Sequence, residues 1–328
     1  MDRLYYAAEA LETCVAPRSA ASRQLLRRHL EADGLISPAT NLYLRRVTWE
    51  RLNPNQRALH LMRGLSRQHG TWVFCGVSAA LVHGLDVSFD LSGQVHVAVA
   101  RSALDRNRSL VVFDYVGSTG TCEYEVVDGI RVSPLERCVY ECLSSLGFRR
   151  GLPIADSYLR MTGGCADGLV DAIAVRHRGC KGVRQARITA AFADGRSENG
   201  GESFARAAMI ELGFAVPDLQ VSFADPMERG RSIRPDFLWQ TPDGRTVAGE
   251  LDGFDKYADE SMNGGRGATD VLIDQAIRDS RLALLGITPM HFRFVDVCDD
   301  RGFSRLLESY GIPRHPRGWV TKARERRR

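Results

Sequence analysis

The stretch PDFLWQTPDGRTVAGELDGFDK, residues 235–256, decides the fold of the C-terminal part of this 328-residue chain. Two strand-like runs flank Asp243-Gly244, a dipeptide suited to a primed two-residue turn, so the stretch predicts a β-hairpin. With a two-residue turn, Asp236 lies opposite Leu251, whereas a bulge or slip of one residue places it opposite Glu250. The turn therefore decides which side chain faces Asp236.

Acidic residues occupy positions where the second strand of this hairpin would bury apolar ones. Glu250 and Asp252 are two residues apart, so they point to one face of the strand while Leu251 points to the other. If Asp236, Glu250 and Asp252 converge, their carboxylates repel one another, and a hard divalent cation offsets that repulsion. The pattern favours a site for Mg²⁺ or Mn²⁺, although each acid taken alone is also typical of an exposed hairpin.

Pro-Asp, a short hairpin and Glu-x-Asp form a layout that resembles the PD-(D/E)xK nuclease superfamily. The likeness is to its branch of very-short-patch-repair-like endonucleases and covers residues 198–297. It implies a restriction-endonuclease-like α/β domain with a mixed central sheet flanked by helices. It also implies that Asp236, Glu250 and Asp252 serve catalysis by holding the metal. In such folds the first helix supplies a further acid, and Glu202 is the matching position, although an acid also favours the first turn of any helix.

One departure from the family pattern concerns the catalytic lysine. The family places a lysine two residues after the second acid, where this chain has Asp252. Lys256 lies four residues farther on and is a candidate catalytic residue, because a flexible ammonium group can reach back into a site. The alternative is a degenerate site that binds DNA without cutting it.

The segments after the hairpin predict a helix over residues 270–285 and a strand over 288–294. Alternation in that strand predicts that Met290, Phe292 and Phe294 face the core, with His291 on the other face. The resemblance implies phosphate contacts from three basic side chains of these elements, Arg278, Arg281 and Arg293. A solvated basic surface is the alternative.

The N-terminal residues predict a winged-helix arrangement. A basic helix ends near Ala32, and residues 34–45 read as a two-stranded wing. Three basic side chains project from the helix and are candidate DNA contacts: Arg23, Arg27 and Arg28.

The segment after the wing contains Ser78-Ala79-Ala80 and His83-Gly84-Leu85. Over residues 20–160 the chain resembles AbiEi-type antitoxins of type IV toxin-antitoxin systems, in which a Ser-Ala-Ala-x-x-His-Gly-Leu element packs a helix under a strand. These motifs indicate a fold rather than a chemistry.

Composition narrows the class of protein. The net charge is +4, with basic residues gathered in separate segments, as expected of a protein that binds DNA. No apolar run reaches the length of a membrane span, the N-terminus does not resemble a signal peptide, and the eight cysteines form no CxxC pairs. The chain is therefore expected to be cytoplasmic, with reduced and mostly buried thiols and no membrane partner.

The expected fold class is α/β, with a winged-helix-like α+β region at the N-terminus. The expected domains are a winged-helix-like domain (1–62), an AbiEi-like α+β domain (63–150), a helical connector (151–195), a nuclease-like domain (196–310) and a basic tail (311–328). The leading hypothesis is a metal-dependent DNA endonuclease acting in defence, repair or a mobile element. The alternative is a DNA-binding regulator or antitoxin, with a cognate toxin as partner and a degenerate nuclease fold. The sequence leaves the oligomeric state and the DNA specificity open.

Overall fold

A computed structural model of the protein describes residues 2–17, 19–32, 34–99, 110–115, 122–252 and 268–314. The protein is a mixed α/β structure with several small sheets, and it divides into two compact units, Met1–Ser145 and Leu146–Arg328. Over the described ranges, every helix is too short or too polar to cross a membrane. Lys256 and the basic tail from residue 315 lie outside the described residues.

The first unit combines six helices with three two-stranded pairings among its described residues. Its helices are α1 (Asp2–Ala10), α2 (Ala20–Ala32), α3 (Arg46–Arg51), α4 (Pro54–Gln68), α5 (Gly76–Val82) and α6 (Leu135–Ser145). Its strands are β1 (Leu35–Ala39), β2 (Leu42–Arg45), β3 (Val95–Val99), β4 (Val111–Tyr115), β5 (Glu125–Val127) and β6 (Ile130–Val132).

Helix α2 and the β1–β2 hairpin lie where the sequence predicts a helix followed by two strands. Leu26 of α2 and Leu35 of β1 are buried in one apolar cluster, which fixes the helix against the hairpin. The two strands pair antiparallel around Asn41, whose positive φ of 58° suits a tight turn. The three arginines predicted to contact DNA, Arg23, Arg27 and Arg28, are all exposed.

The segment that resembles the antitoxins forms a helix beside a parallel strand pair. Helix α5 packs against β3, and β3 pairs in parallel with β4. His83 follows α5, and its Nε2 lies 2.8 Å from the carbonyl oxygen of Ser133, which indicates a structural role for the ring.

Four of the eight cysteines are buried and three are exposed, so the expectation of mostly buried thiols is only partly met.

The second unit carries the predicted acidic hairpin. Its helices are α7 (Phe148–Thr162), α8 (Ala166–Arg176), α9 (Val183–Ala190), α10 (Gly200–Glu211), α11 (Ala268–Leu284), α12 (Phe294–Cys298) and α13 (Asp300–Ser309). Its strands are β7 (Asp218–Leu219), β8 (Phe223–Ala224), β9 (Ser232–Ile233), β10 (Phe237–Gln240), β11 (Thr246–Asp252) and β12 (Ile287–Arg293). Helix α7 packs on α10 through Phe148, Leu152, Ala207 and Ile210.

The central sheet of this unit is mixed, with strand order β12-β11-β10-β7. Strand β10 pairs antiparallel with β7 and β11, and β11 pairs in parallel with β12. One sheet face packs on α10 through residues such as Val247 and Phe292. The other face packs on α11, where Ala248 and Ile287 surround Leu282. Successive residues of each strand therefore face different helices.

Strand β12 shows this alternation and one departure from the prediction. Met290 and Phe292 are buried, as predicted from the sequence. Phe294 is 43% exposed, because the strand ends at Arg293 and Phe294 begins α12. The prediction that Phe294 completes the buried face is wrong, since the period changes from that of a strand to that of a helix at this residue.

The turn of the β10–β11 hairpin has three residues rather than two. Thr241 N–H donates to the Arg245 carbonyl at 2.9 Å, Gly244 N–H donates to the Thr241 carbonyl at 2.9 Å, and Gly244 has a φ of +86°. These are the features of a three-residue hairpin loop that ends in a left-handed glycine. The two strands pair Phe237 with Gly249, whereas a two-residue turn would shift this pairing by one residue. The alternative register is therefore the one observed.

Candidate functional site

The observed register brings two predicted acids together at the end of the hairpin ladder. Continuing the pairing of Phe237 with Gly249 by one residue places Asp236 opposite Glu250. Asp236 is two residues before Leu238, and Glu250 is two residues after Ala248, so both acids belong to the α11 face of the sheet. The Leu251 N–H donates to Asp236 Oδ2 at 2.9 Å, which fixes the Asp236 carboxylate beside β11.

Glu250 is buried, and its bonding is incomplete. Its Oε1 lies 2.8 Å from Arg278 Nη2, but within the described part of the chain this oxygen accepts no hydrogen bond. The same Nη2 donates instead to the Arg234 carbonyl at 2.7 Å. Burial raises the pKa of Glu250, the charge of Arg278 opposes that rise, and the charge of Asp236 adds to it. Glu250 is thus a desolvated carboxylate with an oxygen still able to accept a ligand.

Glu202 supplies a third acid, near the start of α10. The N–H of Glu198 donates to its Oε2 at 2.8 Å, and the Asn199 side chain donates to its Oε1 at 2.6 Å. Burial raises the pKa of Glu202 to about 7, against the hydrogen bond from Glu198, and the nearby charge of Asp236 raises it further. The charge of Asp236 acts on Glu202, so α10 places its acid near this acid of the hairpin.

Asp252 ends β11 and is paired with a histidine. Its Oδ1 lies 3.6 Å from Nδ1 of His291, a residue of the neighbouring strand β12. Asp252 stands where the nuclease pattern of the sequence analysis would have a lysine, and Lys256 lies outside the described residues.

The three hairpin acids do not form a ready-made metal cage. Among the side chains that the structure describes, no group of three or more His, Cys, Asp or Glu residues is arranged to hold a metal ion. Asp236 accepts from the backbone of β11, and Asp252 contacts His291. Carboxylate oxygens are nevertheless the kind of ligand that Mg²⁺ and Mn²⁺ take, and Glu250 Oε1 accepts no hydrogen bond among the described residues.

The three arginines predicted to contact phosphate lie in different surroundings. Arg278 belongs to the site, because it contacts Glu250 and the Arg234 carbonyl. Arg281 is engaged by two carboxylates, those of Asp225 and Glu228, at 2.5 and 2.6 Å. Arg293 is exposed and bonds to Asp296 at the start of α12. Arg278 alone of the three contacts one of the predicted acids in the described structure.

Two polar residues of α11, Gln275 and Asp279, also reach the site and were not singled out from the sequence. Both contact the ring of His291. Their spacing of one helical turn places them on the same face of α11, but only the packing of that helix on β12 shows which strand residue they meet.

Comparison with known proteins adds relatives without adding an activity. No family model matches the chain. Two uncharacterized proteins from strains of Mycobacterium tuberculosis are similar to it, each with 29% identity over 219 residues, which cover 67% of this chain and 73% of the relative. The names of these relatives state no function, so a function must be inferred from the geometry of the site.

Proposed function

We propose that the second unit cleaves DNA phosphodiester bonds in a metal-dependent reaction. The observation that carries the proposal is the register of β10 and β11, which sets Asp236 across from a buried Glu250 with an unbonded oxygen. Two carboxylates held together at a cost in desolvation and repulsion are more typical of a functional site than of a stabilising contact.

Asp236 and Glu250 would hold Mg²⁺ or Mn²⁺, with Glu202 or Asp252 completing the ligand set directly or through water. When bound, such an ion lowers the pKa of water and offsets the negative charge of a phosphate. Arg278 lies against Glu250 and can add a hydrogen-bond donor towards a phosphate oxygen at the same edge. Lys256 would serve as the ammonium group that the family places two residues after Glu250.

A DNA-binding regulator or antitoxin is the second candidate function. Two observations favour it: Asp252 stands where the nuclease family has lysine, and the first unit displays Arg23, Arg27 and Arg28 on a helix next to a hairpin. A cognate toxin would be the partner in that case. Arginines on such a helix bind phosphates in a salt-dependent manner whether or not the second unit cuts.

A nicking assay on supercoiled plasmid separates these functions. The parent protein is incubated with Mg²⁺ or Mn²⁺ and compared with Asp236→Asn and Glu250→Gln, which keep the shape of each side chain and remove its charge. Asp243→Asn is the matched control, because Asp243 lies in the turn of the same hairpin and bonds locally to Thr241 and Arg245. We expect nicking by the parent and the control, and a loss of at least about 100-fold in the other two.

Two results would change the conclusion. Salt-dependent DNA binding without carboxylate-dependent nicking would favour the regulator, and substitution of Arg27 and Arg28 by alanine should then weaken binding. Absence of both binding and nicking would overturn both functions.

A further inference from the structure

His291 lies next to the acidic pair, on the neighbouring strand. Strand β12 runs parallel to β11, and the register pairs Glu250 with His291. Its neighbours Met290 and Phe292 are buried in the core on the α10 side, so the ring of His291 belongs to the α11 side with Asp236 and Glu250. The imidazole therefore shares one sheet face with the acids of the proposed site.

Both ring nitrogens of His291 have partners. Nε2 lies 3.0 and 3.1 Å from the two carboxylate oxygens of Asp279, and Nδ1 lies 2.9 Å from Gln275 Nε2. A carboxylate accepts hydrogen bonds, so Nε2 carries the proton, and the Gln275 amide then donates to Nδ1. Nδ1 is also 3.6 Å from Asp252 Oδ1. The ring thus connects strand β12 with helix α11, and Asp252 at the end of β11 lies close to it.

Helix α11 supplies contacts to both strands from one face. Gln275 and Asp279 hold the histidine of β12, and Arg278 lies against Glu250 of β11. The location of Arg278 beside Glu250 therefore depends on how α11 is fixed to the sheet. The contacts of His291 are the polar part of that attachment, while Leu282 packs the apolar part against Ala248 and Ile287.

We propose that His291 is a positioning residue for divalent-cation binding by the hairpin acids. Through Asp279 and Gln275 it anchors α11 to the sheet, so that Arg278 and the carboxylates keep the separation that a cation requires. Hydrogen-bonded groups around the ligands of a metal ion commonly fix the orientation of those ligands, and their loss weakens metal binding. This inference rests on the proposed function, because it assigns His291 to the same cation site.

Binding of Mn²⁺ to the full-length protein, measured by electron paramagnetic resonance without DNA, tests the role apart from turnover. The variants are His291→Phe, which removes both polar contacts, and His291→Gln, which keeps a donor and an acceptor. Ser280→Ala is the matched control, since Ser280 is exposed on α11 and bonds only to its own helix, to the Ala276 carbonyl. Thermal unfolding of each variant reports whether the fold persists.

We expect His291→Phe to bind Mn²⁺ about 10- to 100-fold more weakly than the parent, with His291→Gln recovering part of the loss and Ser280→Ala unchanged. In the plasmid assay, His291→Phe should need more Mn²⁺ for half-maximal nicking. If His291→Phe fails to fold, the comparison of His291→Gln and Asp279→Asn with the parent decides the question.

Unchanged or tighter Mn²⁺ binding in the folded His291 variants would overturn the role of His291 and leave the nuclease proposal standing. A parent protein that binds no Mn²⁺ would overturn both. If Mn²⁺ binding by the parent is weakened by substitution of Asp236 and of His291 but the parent does not nick DNA, the role of His291 is supported and the nuclease proposal alone is overturned.

Discussion

Two buried carboxylates of the second unit each face an arginine, and their bonding differs. Asp156 Oδ1 accepts from the Asp194 N–H at 2.8 Å, and Arg206 Nη2 donates to both Asp156 oxygens at 2.8 and 2.7 Å. Arg206 also donates to the Phe192 carbonyl at 2.7 Å. In the pair of Glu250 and Arg278, the arginine is 2.8 Å away but its hydrogen bond goes to a backbone carbonyl.

The difference in hydrogen bonding indicates that the two ion pairs have different roles. A buried ion pair whose carboxylate oxygens all have donors ties elements together, and here it joins α7 to α10. A buried carboxylate that lacks a donor costs free energy unless another group binds it. The first pair is therefore a structural contact, and the second has an oxygen that accepts no hydrogen bond among the described residues, as the proposed cation site would require.

Breaking the structural pair should give the largest change in stability. Arg206→Met leaves Asp156 buried without its counter-charge and should lower the free energy of unfolding by about 3–5 kcal/mol. Arg278→Met should cost much less, because the Arg278 side chain is 38% exposed and Glu250 can be protonated or meet water. Urea unfolding of both variants measures the contrast. Equal losses would show that both pairs are structural.

The dependence of stability on pH should reveal the acidic site. Glu202 has a pKa of about 7 in the folded protein, above its ordinary value of 4.5. The folded state therefore binds the Glu202 proton more tightly than the unfolded state does. As the pH rises from about 4.5 to 7 this contribution is lost, and the free energy of unfolding falls by up to about 3 kcal/mol.

Guanidinium unfolding of the parent and Glu202→Gln at pH 5 and pH 7.5 measures the loss of stability that Glu202 causes. Replacing the carboxyl group by an amide changes hydrogen bonds whose strength does not depend on pH. The difference between the two proteins in how the free energy of unfolding changes with pH therefore reports the titration of Glu202. Added Mg²⁺ should reduce the loss in the parent, because a cation favours the ionised acid. Parallel stability curves for the two proteins would contradict the expectation.

Close side-chain packing supports the strand that carries Glu250, in addition to its pairing with β10 and β12. A Cβ on Gly249 would lie 2.8 Å from Trp239 Cζ3 and 3.3 Å from Phe237 Cβ. Gly249→Ala should therefore lower the free energy of unfolding by about 1–3 kcal/mol through overpacking, measured by thermal or urea unfolding. Gly244→Asn, in the left-handed turn position, is the comparison variant and should cost less, since Asn tolerates positive φ. No loss in Gly249→Ala would show that the Trp239 ring moves easily.

The smallest change in stability is expected at Glu250 itself. Glu250→Gln removes a buried charge that lacks a full set of donors, so the free energy of unfolding should change by less than about 1 kcal/mol or increase. Asp156→Asn, by contrast, should destabilise, because its amide replaces an acceptor that faces two donors. Urea unfolding in the absence of divalent cations measures both. A large loss in Glu250→Gln would make this residue structural as well.

The sequence predicts the helices and strands around the acidic hairpin but only part of the candidate site. Alternation in β11 placed Glu250 and Asp252 on the face opposite Leu251, and the basic helix before a hairpin was found near residues 22–45. The sequence allows two registers for the acidic hairpin, because Asp243-Gly244 fits both a two-residue turn and a three-residue loop. The bonds between Thr241 and Arg245 select the longer loop.

The sequence by itself determined the hairpin, the helices on either side of it and the face on which its acids lie, because strand and helix periodicity are properties of neighbouring residues. Only the tertiary structure decided that Asp236 faces Glu250, that Arg278 contacts Glu250 without a hydrogen bond, and that His291 joins β12 to α11. These contacts connect residues far apart in the chain, and they follow from the turn length, the parallel pairing of β12 and the packing of α11 on the sheet.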